Sequence, residues 1–358
     1  MGRPNGGGEG GRGGVNTALV YSVTVVTTSD QQSLFAPPPD PGPIEPPGFD
    51  FAAAARLPGN LAFGTSSWVY EGWKGQVYRR EYRSETAFRQ QSLVEYGRWP
   101  WFGAVGLDAS FYGPPTEATL DRMHAQMPLG MRWVSKVWEE VTIPRFPTHP
   151  RYRDKAGQLN PHFLDVELFE REVLRPFDRD GIRERCGPFL FEFQTLPPRV
   201  LPHADKLLRR LDGFFAGLPS RFRYAVELRT PELLVPEWFA MLRANGIAHC
   251  FNSWHRMPPL GEQARIAREG GGDGGDVRLL RLLTPPGMEY ARSVELFSPY
   301  DRLVRESPEL REEAVELALE GLGAGADTIV LVNNRLEGNS PTTIDRLGRA
   351  ILGHLEGA

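Results

Sequence analysis

The sequence predicts a (β/α)8 TIM-type barrel preceded by a low-complexity extension. Three observations carry this: eight short apolar runs from Leu61 onward, amphipathic stretches of helical period between them, and a length of 358 residues. Strands alternating with helices imply a parallel sheet, and a barrel of about 250 residues leaves room for an appendage. The strands are expected near 61–66, 103–109, 131–137, 188–194, 223–229, 247–252, 277–283 and 327–333. Helices are expected at 84–98, 116–126, 161–182, 202–217, 231–245, 307–320 and 341–354, with Pro231 and Pro341 at helix starts, where a missing amide costs nothing. The sixth unit leaves only Gly261 to Glu269 for its helix.

The first run opens the barrel. Leu61, Phe63 and Thr65 alternate with Ala62, Gly64 and Ser66, so one face is bulky and the other nearly bare, which suits a crowded interior. Trp68, Tyr70, Trp73 and Tyr78 follow, interleaved with Gly72 and Gly75. Such a loop either plugs one end of the core or forms the aromatic wall of a ligand pocket.

Residues 1–58 differ in kind from 59–358. Glycines crowd Met1 to Gly14, and 36–43 is a proline tract, a composition that predicts disorder. The apolar run 18–26 is too short to span a bilayer and has no small-residue cleavage pattern after it. It reads as an added strand or as a start codon placed too far upstream.

Composition excludes several classes of partner. A net charge of −4, from 41 basic and 45 acidic residues, gives no field for nucleic acid or an anionic membrane. Cys186 and Cys250 show no metal-ligand spacing and read as thiols of a reducing, cytoplasmic compartment. No metal or other cofactor is expected: the seven histidines are scattered, and His249 reads as a packed histidine facing outward from strand six. The glycines of 321–325 follow a helix and precede a strand, the reverse of a phosphate cradle, so they read as a helix cap. The 270–276 glycine run reads as a flexible surface linker.

Candidate site residues come from strand parity, because barrel chemistry sits at the carboxyl ends of the strands. Phe189, Phe191 and Phe193 mark the helix-covered face of strand four, which turns Glu192 and Gln194 inward. Strand five likewise turns Glu227 and Arg229 inward. Parity adds Asp108, Lys136, Arg281 and the pair Asn333-Asn334. Buried charges must pair, so Asp108, Glu192 and Glu227 are expected against Lys136, Arg229 and Arg281. The set is either a space-filling ionic layer or a network that tunes one carboxylate for acid/base work.

Several of these stretches resemble the DUF72 (YecE-like) family: Gly64-Thr65-Ser66-Ser67-Trp68, Ser110-Phe111-Tyr112, Lys136, 187–194 leading to Leu196-Pro197-Pro198, Ala225 to Arg229, Asn333-Asn334, Glu337-Gly338 and Pro341. The resemblance runs from about Leu61 to the C-terminus and implies a TIM-barrel-like fold without an assigned activity. This chain departs from the family pattern in four places: Gly106 and Asp108 stand where glutamate and asparagine are usual, Ile143 and Leu282-Leu283 where histidine and histidine-glycine are, and Thr230 where histidine is. The functional expectation is a metal-independent acid/base enzyme, of hydrolase or lyase type, acting on a small polar or anionic molecule. Glu227, Asp108 and Glu192 would supply its carboxylates. Lys136, Arg229, Arg281, Trp68, Tyr70, Trp73, Asn333 and Asn334 would line the substrate site. The alternative is a non-catalytic barrel that binds a ligand or protein partner through residues 68–78.

Overall fold

All eight apolar runs form strands of one closed parallel barrel, ordered β1 to β8 around the ring. They span Leu61–Thr65, Ala104–Leu107, Arg132–Lys136, Cys186–Phe193, Tyr224–Leu228, Ala248–Asn252, Val277–Leu282 and Asp327–Val332, within two residues of expectation. The computed structural model describes residues 46–196 and 204–357. The expected disorder up to residue 45, the 18–26 run and the Pro197-Pro198 pair lie outside the described residues.

Side-chain alternation assigns the layers as the sequence implies. Ala62, Ala104, Leu190, Ala225, Ala248 and Leu279 fall in a small buried cluster inside the barrel, where short side chains fit. Phe189, Phe191 and Phe193 join the larger core beneath the helices. There Phe191 meets Phe214 edge-on at 5.4 Å, on the helix Ala204–Ala216. His249 shares that outer layer. It accepts a hydrogen bond from Trp238 Nε1 at 3.4 Å, and burial pushes its pKa down to about 4, so it packs as a neutral ring.

The amino ends of the strands are tied by an ion cluster that parity did not bring out. Asp327 binds Arg132 at 2.7 Å and Arg223 at 2.5 Å, joining the start of β8 to those of β3 and β5. Burial pushes its carboxyl up, but the bonds from Arg223 and Arg132 outweigh this and hold it below the usual range.

The helices depart from expectation where proline or turn chemistry intervenes. The 161–182 stretch is not one helix. Leu164 takes a positive φ of 62°, Asp165 caps Val166–Leu168, and the chain continues through a wide turn, Phe169–Leu174, and a tight one, Arg175–Phe177. Pro176 withdraws an amide from the helical ladder there. Pro231 opens a single tight turn, and the helix proper, Pro236–Ala244, starts at Pro236. The sixth helix is complete at Leu260–Glu269, and Tyr290–Phe297 forms a further helix beyond those expected, although Tyr290, Val294 and Phe297 share one face. The 270–276 run is a packed turn rather than a loose linker: Asp273 accepts the His249 amide at 2.9 Å and pairs with Arg278 at 2.7 Å.

Residues 49–56 pack on the barrel, although the sequence grouped them with the extension ending at 58. Asp50 caps the short helix Phe51–Ala54, its own amide donates to Asp345, and Phe51 meets Trp99 edge-on at 4.9 Å. Truncating Phe51 therefore removes buried aromatic contact. Phe51→Ala should lower stability by about 1–3 kcal/mol, read as a lower urea midpoint at unchanged slope.

Candidate functional site

Strand register delivers the ions. Glu192 and Glu227 are direct partners across β4 and β5, and Asn252 lies opposite Arg281 across β6 and β7. Parallel neighbours with the same parity thus set the two carboxylates side by side inside the barrel, and the Arg281 guanidinium beside Asn252. Asp108 is not on β2 as expected but on the tight turn Asp108–Tyr112 that follows it. Ser110 Oγ, shared between the carbonyls of Leu107 and Lys136, fastens that turn to β3. Asp108 is thereby aimed at the barrel axis.

The six charges meet as parity implied. Lys136 Nζ lies 2.7 Å from Glu192 and 3.3 Å from Asp108. Arg229 bridges Glu192 and Glu227, each at 2.7 Å. Arg281 binds Glu227 through Nη1 and both oxygens of Asp108 through Nη2, at 2.9 Å. Gln194 donates to Glu192, which completes that carboxylate. The side chains of Glu227, Glu192 and Arg281 are 2% exposed or less, whereas Asp108 keeps 31%. Asp108 is therefore the solvent-facing member of the cluster.

The electrostatics follow from the pairing. Burial alone would push the Glu227 carboxyl up, but Arg281, Arg229 and Lys136 together pull it well below the usual carboxylate range. Burial would likewise lower Arg281, yet Asp108, Glu227 and Glu192 raise it. Glu227 is a permanent anion at neutral pH.

The aromatic loop divides between plug and wall. Trp73 and Tyr78 are buried, and Trp73 Nε1 donates to Asn334 Oδ1 at 3.2 Å. Asn334 also accepts the Ser340 amide, so it ties this loop to the C-terminal helix Ser340–Gly357. Gly72 is required there because a Cβ would lie 2.0 Å from the Pro299 carbonyl oxygen. Trp68 and Tyr70 remain half-buried at the rim. Asn333 accepts from the amide and side chain of Arg335 and holds that arginine in place.

Arg335, Tyr290, Tyr300 and Trp254 escaped the sequence reading, yet they form the lip above the ions. Arg335 stacks on Tyr290 at 4.6 Å and faces Tyr300 at 5.9 Å. Tyr300 in turn meets Tyr70 at 5.9 Å, and Trp254 covers the Arg229 guanidinium at 4.0 Å. Burial pushes the Tyr70 hydroxyl up against the opposing pull of Arg335, so it stays a donor. Trp254 and Arg335 each sit shortly after a strand end and were open to the same rule that found Asn333. Tyr290 and Tyr300 lie in 284–306, where the sequence reading placed no element although Tyr290, Val294 and Phe297 stand at helical spacing. Among the described residues no His, Cys, Asp or Glu side chains group as metal ligands.

A closed eight-stranded barrel with an ionic floor and an aromatic lip at the carboxyl ends of its strands defines the class. Residues 62–356 match the family described as a protein of unknown function, DUF72, and the chain belongs to it. Among solved structures it is similar to a DUF72 family protein of Enterococcus faecalis V583, at 14% identity and a TM-score of 0.53, covering 82% of this chain and 95% of that one. A DUF72 family protein of Thermotoga maritima MSB8 matches at 19% identity and a TM-score of 0.47, over 83% and 99% of the two chains. No curated protein matches the sequence.

Removing one partner of a buried pair leaves the others uncompensated. Glu227→Gln should cost about 3–5 kcal/mol in denaturant titration at pH 7. Because the folded-state pKa of Glu227 is depressed, its contribution is full above its unfolded value of about 4.3 and is lost as pH falls below it. The gap between wild type and Glu227→Gln should therefore be flat from pH 6 to 8 and narrow below pH 4. A variant as stable as wild type at pH 7 would mean that Glu227 does not hold the cluster together.

Proposed function

We propose that the mouth of the barrel binds a small planar molecule carrying a carboxylate or similar anionic group, with Arg335 as its charge partner. The carrying observation is that Arg335, unlike Lys136, Arg229 and Arg281 beneath it, has no carboxylate partner among the described residues. Its bonds go to Asn333, and its faces lie against Tyr290 and Tyr300. Lys136, Arg229 and Arg281 are each neutralised within the floor. A guanidinium fork matches a carboxylate in two parallel bonds, and aromatic walls favour a flat ligand.

Glu227 and Glu192 serve in this reading as fixed counter-ions that hold Arg281, Arg229 and Lys136 in place. A general base needs a pKa near the working pH, and Glu227 is pulled the other way. A catalytic reading, of hydrolase or lyase type, rests on Asp108, the exposed carboxylate. The 68–78 loop contributes Trp68 and Tyr70 to the walls, while Trp73 and Tyr78 serve the core. The free thiols Cys186 and Cys250 support a cytoplasmic location. Among the described residues no helix is long and apolar enough to cross a membrane.

Benzoate and its neutral counterpart benzamide test the charge requirement. Benzoate should raise the melting temperature in a saturable manner, benzamide should not, and Arg335→Met should weaken benzoate at least tenfold while folding normally. Equal effects of the two compounds, or undiminished affinity in Arg335→Met, would overturn the assignment.

A further inference from the structure

A cavity of about 800 Å3 lies outside the barrel wall, between the connection that follows β3 and the helix Ala204–Ala216. Phe193 and Leu228, at the ends of β4 and β5, line one side, and Ile143 and Phe146 of the connection line the other. The first pair belongs to the main core, whereas Ile143, Phe146 and Tyr152 form a small buried cluster of their own. The cavity is thus lined from two separate apolar clusters, where close packing would ordinarily leave one. Hydrogen bonds hold the connection in place: Asn160 donates to the Glu140 and Ile143 carbonyls at 2.6 and 2.8 Å, and the Phe146 amide donates to the Gln158 carbonyl at 3.0 Å. We propose that this cavity binds an aliphatic carboxylate, with its chain between the two apolar walls and its head on Arg145.

Two features select that chemistry. The first is the apolar lining. Its volume falls in the upper part of the range of about 300–1,000 Å3 usual for small-molecule sites. Leu159 on its wall is 69% exposed, and Leu196 and Leu207 are half-buried, so apolar surface remains there for a ligand to cover. The second is the charge. Arg145 is the only charged residue among the described residues of the lining. Its guanidinium donates to the carbonyl of Gly157, itself part of the wall, which fixes it at the cavity edge. It has no carboxylate partner among the described residues, and one bond leaves most of its five N–H donors open. Gln194 and Thr195, also on the wall, already donate to Glu192 and to the Arg229 carbonyl. The guanidinium is therefore the group left for a polar head, and its fork matches a carboxylate. A cationic head would be repelled, and a second ligand charge would find no partner in the lining.

This site does not depend on Arg335, so the two assignments can fail separately. The probes are octanoate, an anion at pH 7, 1-octanol, which has the same chain without the charge, and butanoate, which has the charge on a shorter chain. Calorimetric titration of the full chain should show one saturable octanoate site, at least tenfold tighter than 1-octanol. Affinity should rise about three- to fourfold with each methylene added from butanoate to octanoate. Arg145→Met should weaken octanoate at least tenfold, Leu207→Trp, a bulky substitution at a half-buried position on the cavity wall, should abolish its binding, and Arg335→Met should leave it unchanged. Equal affinity for octanoate and 1-octanol, affinity independent of chain length, absence of saturation, or octanoate binding undiminished in a folded Arg145→Met or Leu207→Trp variant would overturn the proposal. Loss of octanoate binding in Arg335→Met alone would assign it to the mouth and overturn the proposal as well. The comparison of the three probes on the wild-type chain decides the chain and charge requirements even where a variant does not fold.

Discussion

Arg281 is the constraint around which the upper half of the barrel is arranged. A guanidinium in an apolar bore is costly unless its charge and donors are met, and removing its partners would strand it. Arg281 on β7 therefore reaches across to Glu227 on β5 and to Asp108 beyond β2. Those carboxylates recruit Arg229 and Lys136, and through them Glu192 on β4. Five of the eight strands or their following turns are thus joined by one charge pattern. Slipping any of these strands by one residue would turn an ion out among the helices, so the cluster fixes register as well as closing the end. Asp327, Arg132 and Arg223 do the same at the opposite end.

What the sequence revealed follows from what alternation can encode. On β4 three phenylalanines at every second position leave one direction for Glu192, and on β5 the same logic places Glu227 and Arg229. Helices hid where their cause is local and not periodic: Leu164 in a left-handed conformation and Pro176 without an amide break the 161–182 stretch, though its apolar spacing suits a helix. The lip hid for a related reason. Tyr300 owes its position to a loop held from outside, with Asn339 donating to the Tyr300 carbonyl and Gly72 allowing the 68–78 loop to press against Pro299. No period in 284–306 records those contacts.

The departures from the family pattern become physical statements in this backbone. A side chain at position 106 would put its Cβ 2.9 Å from backbone atoms of Ser66, so β1 and β2 lie too close for an acid there. The charge enters from position 108 instead, one turn higher and partly in solvent. Thr230, where histidine is usual, accepts the Leu196 amide at 3.0 Å and anchors the end of β4. Leu282 and Leu283 are buried. Similarity at 14% identity shows the shared fold.

In the proposed binding role, a neutral floor beneath a charged lip is what supplies selectivity. Had the six groups carried a net charge, a charged ligand would have been attracted or repelled before its shape mattered; matched three against three, they present fixed dipoles that need not reorganise. The uncompensated charge sits higher, on Arg335, where the cost of leaving a guanidinium without a carboxylate is moderated by water and two tyrosine faces. Tyr300 is held at a φ of 73°, a conformation that costs an ordinary residue about 1–2 kcal/mol, and its ring completes that setting. Strain of this kind persists where the surrounding contacts over-determine it. Here they are the bond from the Tyr300 amide to the Phe297 carbonyl and the one the Tyr300 carbonyl accepts from Asn339, so the aromatic lip is preformed.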